Sequence, residues 1–232
     1  MNMLAFMIGV ATAFFAIFSI HILCFRRGRT RYQTMLGIIM AVWAVWTAKD
    51  LAITTPAMYV PQVLDWILII DGWSAITYVV LVMEATNPGW TTLRRVLWLA
   101  LPFAVFTAVY VWRPVAAVLY GYVAFLWCFA WAVVFVAWLQ VRRYLRFLHD
   151  NYSNIDRIDV SWLRSVFVFA VVGQLAWLFT SLWHSVVFDL VYYVLSIGLW
   201  LLVLYYSWDF QPIVVANRAT ETLQRKNLPP PK

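Results

Sequence analysis

Fifteen of the chain's 17 Lys and Arg residues stand in four places, each at one end of a long apolar run: residues 26–31, 94–95, 142–164 and 218–232. The connections at the opposite ends of those runs carry almost no positive charge. Membrane proteins keep Lys and Arg in their cytoplasmic connections. The alternation therefore predicts an all-α polytopic membrane protein with seven transmembrane helices, its N-terminus outside and its C-terminus cytoplasmic. Composition agrees, since 65% of the 232 residues are hydrophobic and only 12% charged, against about 25% charged in soluble domains. The net charge of +7 flanks apolar runs instead of forming one soluble patch. It fits orientation against anionic lipid better than direct contact with nucleic acid.

The apolar runs place the spans at about residues 4–25, 35–53, 66–85, 93–111, 115–139, 166–183 and 186–206. The first has no basic residue before it and no small-residue cleavage site after it, and it ends in Arg26-Arg27-Gly28-Arg29. It reads as a helix and not as a signal peptide. Residues 54–65, with Pro56 and Pro61, read as an outer loop, and Asn87-Pro88-Gly89 as a turn that ends the third helix. Residues 1–208 thus form a seven-helix domain and residues 209–232 a cytoplasmic tail or linker. The fifth helix continues inward through Arg142, Arg143 and Arg146 to a connection holding Asp156, Asp159 and Trp162, where Ser153 and Asp156 have capping-box spacing. No segment outside the spans is long enough for its own core, which takes more than about 40 residues. Cys24 and Cys128 lie within spans and read as packing residues.

Ionisable residues inside a bilayer are costly and face the bundle interior or a water-filled cavity. Here they gather toward the outer side: Lys49 and Asp50 end the second helix, Asp71 lies in the third, and His184 and Asp189 flank the last outer turn. Only His21 and Glu84 belong to the inner halves. Residues three or four apart share a helix face. On that spacing Trp43, Trp46 and Asp50 form one stripe, Asp71, Ser74 and Tyr78 a second, and Gln174, Trp177, Ser181 and His184 a third. Asp189, Tyr193, Ser196 and Trp200 form a fourth, and Tyr120, Trp127, Trp131 and Trp138 a fifth. Converging faces of this kind would make an aromatic-walled, outward-opening pocket for a small ligand. A blander reading stands beside it. Trp66, Tyr110, Trp112 and Trp183 fit an interfacial belt, Lys49 can snorkel outward, and Asp189 complements a helix dipole. Asp71 is too deep to reach water easily, so it needs a partner. Lys49 is nearest in depth, and a structural ion pair and a ligand site both remain open.

Several chemistries are missing. The seventh helix has no lysine for a retinal Schiff base, and no Gly-x-Ser-x-Gly motif marks a serine nucleophile. Asp50 and Asp71 lack the motif context of an intramembrane aspartyl pair. His21, His149 and His184 are scattered, so no catalytic residue, metal site or cofactor is expected. Pro61-Gln62 matches the dipeptide of small seven-helix carriers, but it occurs once and outside the expected spans. Helix interruptions typical of carriers are not evident beyond Pro102.

Five segments carry a resemblance: Lys49-Asp50, Asp71-Gly72-Trp73, Asn87 to Thr92 before Arg94-Arg95, Asn151 to Asp156 leading to Ser161-Trp162-Leu163-Arg164, and Tyr205 to Phe210. Together they resemble the N-terminal seven-helix membrane region of certain AraC-type transcriptional regulators of Bacteroidota, related to seven-helix sensor regions of some histidine kinases. The resemblance covers essentially the whole chain. It implies a signal-input module in a bacterial inner membrane that passes a periplasmic or membrane signal to a cytoplasmic DNA-binding or kinase effector. Only 24 residues follow Trp208, so the expectation is either the sensing region of a longer protein or a stand-alone relative acting through a partner.

The resulting expectation is a sensor and not an enzyme, with a small transporter as the alternative. Its ligand-binding set is Trp46, Lys49, Asp50, Asp71, Tyr78, Gln174, Trp177, His184, Asp189 and Tyr193. Its relay set is Arg142, Arg143, Asp156, Asp159 and Trp162. Expected partners are the lipid bilayer, a small ligand, a cytoplasmic effector and a second copy of the chain.

Overall fold

Thr30 starts the second helix with a reciprocal cap. Its hydroxyl accepts from the Gln33 N–H at 3.2 Å, and the Gln33 side chain accepts from the Thr30 N–H at 3.0 Å. The pairing satisfies two N–H groups that a helix start otherwise leaves without partners. It sets the start at Arg31 instead of near Met35. Pro61 does the same for the third helix, since proline's missing N–H costs nothing in a first turn. The Pro61-Gln62 pair therefore opens a helix and does not lie in a loop.

The computed structural model describes residues 2–151, 168, 171–173, 176–177 and 185–208. Among these the chain is helical and has no strand. The elements are α1 (Asn2–Ile20), continued by a π turn (His21–Phe25), and α2 (Arg31–Lys49), continued by a 3-10 turn (Asp50–Thr54). Then follow α3 (Pro61–Gly72), α4 (Ala75–Thr86), α5 (Leu93–Trp112), α6 (Ala116–Asn151) and α7 (Val186–Ser207). Six stretches among the described residues are long and apolar enough to cross a membrane: Met3–Phe25, Arg31–Thr54, Pro61–Thr86, Leu93–Trp112, Ala116–Arg143 and Val186–Ser207. Their outward faces are also apolar, with Phe6, Ile17, Val45, Leu97 and Leu101 exposed. Helices apolar on both faces suit an apolar surrounding, so the chain is compatible with a membrane protein. The expected span at 166–183 is described only at 168, 171–173 and 176–177, where it is helical.

α1 lies along α2 and against α7, α4 packs on α2 and α6, and α5 packs on α4 and α6. α1 turns Leu4, Ile8, Ala11 and Phe15 inward, one face at three- and four-residue spacing. At mid-length an aromatic cluster ties four elements together, α1, α2, α4 and α7. Trp43 meets Phe15 and Trp200 with ring centroids 5.5 Å from each, and Tyr78 stacks on Trp200 at 5.9 Å. Such pairs add about 0.5–1.5 kcal/mol beyond burial.

The third span is not one continuous helix. Between α3 and α4 the Trp73 N–H reaches Ile70 O (3.1 Å) and the Ser74 N–H reaches Asp71 O (2.9 Å), a tightened three-residue spacing. That leaves the Ile69 carbonyl without its usual helical donor, and the Tyr122 hydroxyl of α6 donates to it at 2.9 Å. Gly72 permits the approach: a Cβ there would sit 2.1 Å from the Tyr122 oxygen. Pro102, by contrast, lies inside an unbroken α5.

The arginine-bearing end is tightly stitched. Glu84, fully buried, accepts from the N–H groups of Gly89 (2.9 Å) and Thr91 (3.0 Å) and pairs with Arg31 Nε at 3.0 Å. Gly89 adopts φ +86°, a left-handed conformation that glycine reaches without steric cost. Nearby, Tyr32 and Ser207 share a hydrogen bond of 2.9 Å. Gln33 Nε2 lies 3.4 Å from Trp208 O, the Arg26 guanidinium donates to the same oxygen, and His21 stacks on the Trp208 ring. Cys24 and Cys128, read above as packing residues, are both exposed.

Candidate functional site

Three elements bring carboxylates to one cavity at the opposite end. Asp50 caps α2, Asp71 lies immediately before the interruption at Trp73-Ser74, and Asp189 lies in the first turn of α7. The cavity has a volume of about 350 Å³, within the range of small-molecule sites. Its walls include Trp43, Trp46, Tyr120, Trp177, Tyr192 and Tyr193, and a fourth carboxylate, Asp65.

Lys49 organises the acidic groups. Its ammonium lies 2.7 Å from Asp71 Oδ1 and also grips Asp50 Oδ1, while the Tyr193 hydroxyl donates to Asp50 Oδ2 at 2.7 Å. Asp50 is therefore well partnered despite burial, as a buried charge must be. Asp65 accepts from the Tyr110 hydroxyl at 3.1 Å. Asp189 accepts no hydrogen bond and makes no ion pair with its side chain among the described residues. Ser196 is buried, lines the cavity, and has a hydroxyl without a partner among those residues. Tyr59, in the connection before α3, also lines it. Burial, then the nearby Asp189 carboxylate, pushes its phenol above the ordinary value.

The structure brings most of the described ligand set together. Trp46, Asp50, Asp71, Trp177, Asp189 and Tyr193 all line the cavity. Lys49 and Tyr78 do not: Lys49 stands behind as the bridge between Asp50 and Asp71, and Tyr78 turns into the aromatic cluster. Lys49 does not snorkel free. The stripe of Asp71, Ser74 and Tyr78 survives the interruption between α3 and α4, though Tyr78 does not reach the main cavity. Tyr78 instead joins Asp71 and Trp177 around a second, small cavity of about 20 Å³. The α6 stripe does not converge. Tyr120 reaches the main cavity, but Trp131 and Trp138 are exposed while Tyr122 and Leu126 face inward. Tyr110, assigned above to an interfacial belt, is buried and serves Asp65.

Gln174 and His184 lie outside the described residues, as do Asp156, Asp159 and Trp162. Arg142 and Arg143 are exposed on α6, with Arg142 over the Trp138 ring at 4.1 Å. Asp65, Tyr59 and Tyr192 were missed as site residues. Pro61 was the available signal for Asp65, because a helix starting there takes Asp65 out of the outer loop and into the same helix as Asp71. Among the described residues no three His, Cys, Asp or Glu side chains are grouped to hold a metal ion. The arrangement can bind and orient a ligand, with charge, hydroxyl and aromatic contacts within one cavity. No family model matches the chain, and no curated protein or solved structure matches it.

Proposed function

We propose that this chain is a membrane-embedded signal-input module of seven spans. In this reading a small ligand enters the acidic cavity from the extracytoplasmic side and α7 carries the response to the cytoplasmic side. The resemblance to the membrane regions of AraC-type regulators implies the same role, with a DNA-binding or kinase effector as receiver. One observation carries the reading. α7 is held at the cavity by the Tyr193–Asp50 hydrogen bond, and the same helix is held at its far end by Tyr32 and the grip on Trp208. A ligand that alters the Asp50 contact therefore acts on the helix leading into the tail. Switching needs two arrangements with different ligand affinity, and an element anchored at both ends supplies a route between them.

The test needs no ligand. With Cys24 and Cys128 replaced by Ser, spin labels at Leu97→Cys and Tyr205→Cys, both exposed, report the position of the α7 exit by pulsed electron resonance. Tyr193→Phe removes the outer anchor and is expected to shift or broaden the distance distribution. An unchanged distribution in a folded variant overturns the relay.

The interruption of the third span beside Asp71 favours a second reading, since discontinuous helices next to a binding site are common in carriers. A transporter moves substrate into proteoliposomes; a sensor binds without flux.

A further inference from the structure

We infer that the cavity binds a small organic cation, an amine or a quaternary ammonium. This rests on the pocket proposed above and names its ligand class. Four carboxylates, Asp50, Asp65, Asp71 and Asp189, line the cavity, and no Lys or Arg lines it among the described residues. Lys49 offsets one of these charges from behind and leaves the cavity negative. An anion would meet repulsion from every acidic wall.

The acidic residues alone would fit an inorganic ion equally well, but the remaining lining does not. Hard metal ions take several converging oxygens, and no such group is present among the described residues. The walls instead include the aromatic side chains of Trp46, Tyr120, Trp177 and Tyr192, and ammonium groups are attracted to aromatic faces at up to about 6 Å from the centroid.

Two groups await a partner. Asp189 has an uncompensated carboxylate, and the Ser196 hydroxyl is buried and unpaired among the described residues. A primary ammonium donates a hydrogen bond to Asp189, a quaternary one pairs with it by charge alone, and either leaves the Lys49 bridge intact. Ser196, seven residues further along α7, faces another part of the ligand. The same recognition already operates inside the protein, where the Lys49 ammonium is held between Asp50 and Asp71.

Equilibrium binding of radiolabelled phenethylammonium to the protein in phosphatidylglycerol nanodiscs tests this, with unlabelled methylammonium, tetramethylammonium and neutral 3-phenylpropanol as competitors. Saturable binding is expected, displaced by the cations and not by the alcohol. It should weaken about tenfold or more in Asp189→Asn, as one lost ion pair of about 1.4 kcal/mol requires, and less in Ser196→Ala. Replacing part of the lipid with phosphatidylethanolamine separates two sources of the same chemistry. Reduced binding marks a lipid headgroup as the occupant, unchanged binding a free amine, and both support the inference. Equal competition by 3-phenylpropanol leaves a ligand pocket but overturns its cation preference. Absence of saturable binding by wild-type protein with intact helical circular dichroism overturns the inference and the pocket together. Unchanged affinity in folded Asp189→Asn removes Asp189 as the anchor and sinks the geometry argued here.

Discussion

Glu84 and Asp189 are both carboxylates in an apolar bundle, and they differ in what surrounds them. Glu84 has no exposure, receives two backbone N–H groups and the Arg31 guanidinium, and lines neither described cavity. Asp189 is half-buried, borders a cavity, and has no protein partner among the described residues. A buried charge whose partners all come from its own chain holds a fold together. One that faces a cavity without partners is available to something else. The two ends of the bundle divide along that line.

Breaking the closed end should have the largest effect. Glu84→Ala removes the acceptor of the Gly89 and Thr91 N–H groups, at about 1–3 kcal/mol for the one on buried Thr91, and leaves Arg31 without its carboxylate. Thermal unfolding in detergent should show a large loss of stability, whereas Asp189→Asn should change it little. Similar losses for the two would erase the distinction. Next comes Gly72→Ala, which drives a Cβ into the Tyr122 hydroxyl and should cost about 1–3 kcal/mol by overpacking. Adding Tyr122→Phe should recover part of that loss, and no recovery would mean that the close approach is not the cause.

Lys49 stands between the two behaviours, since it stabilises the acidic end from behind the cavity. A double-mutant cycle of Lys49→Met and Asp71→Asn should give a coupling energy of about 0.5–3 kcal/mol. A value near zero would mean that the 2.7 Å contact is not an energetic pair. The smallest effect belongs to Arg142→Ala, which removes an exposed guanidinium from the Trp138 ring at about 0.5–1 kcal/mol. Unfolding curves should barely move.

Much of this arrangement was legible in the residues. Trp43, Trp46 and Asp50 share a face because helical periodicity is local, and all three reach the cavity. Asp189, Tyr193 and Ser196 do so for the same reason. Depth alone paired Lys49 with Asp71. The Thr30-Gln33 cap and the Pro61 start were readable but passed over, because apolar runs mark where side chains suit lipid and not where hydrogen bonding begins. Spacing grouped Tyr78 with Asp71 and Ser74, and the three do line one small cavity; the break before α4, where a Tyr122 hydroxyl from 53 residues away reaches the Ile69 carbonyl, was not legible in it.

Local rules, namely hydropathy, charge placement and the three-to-four-residue repeat, determined that the chain is helical, which runs are apolar, and which side chains share a face. Tertiary structure alone decided that the third run breaks at Trp73-Ser74, that Lys49 serves two carboxylates, and that Asp189 is left without a described partner. These outcomes depend on which side chain of another helix arrives to accept, donate or crowd, and such encounters are set by packing between helices, which no window of sequence contains.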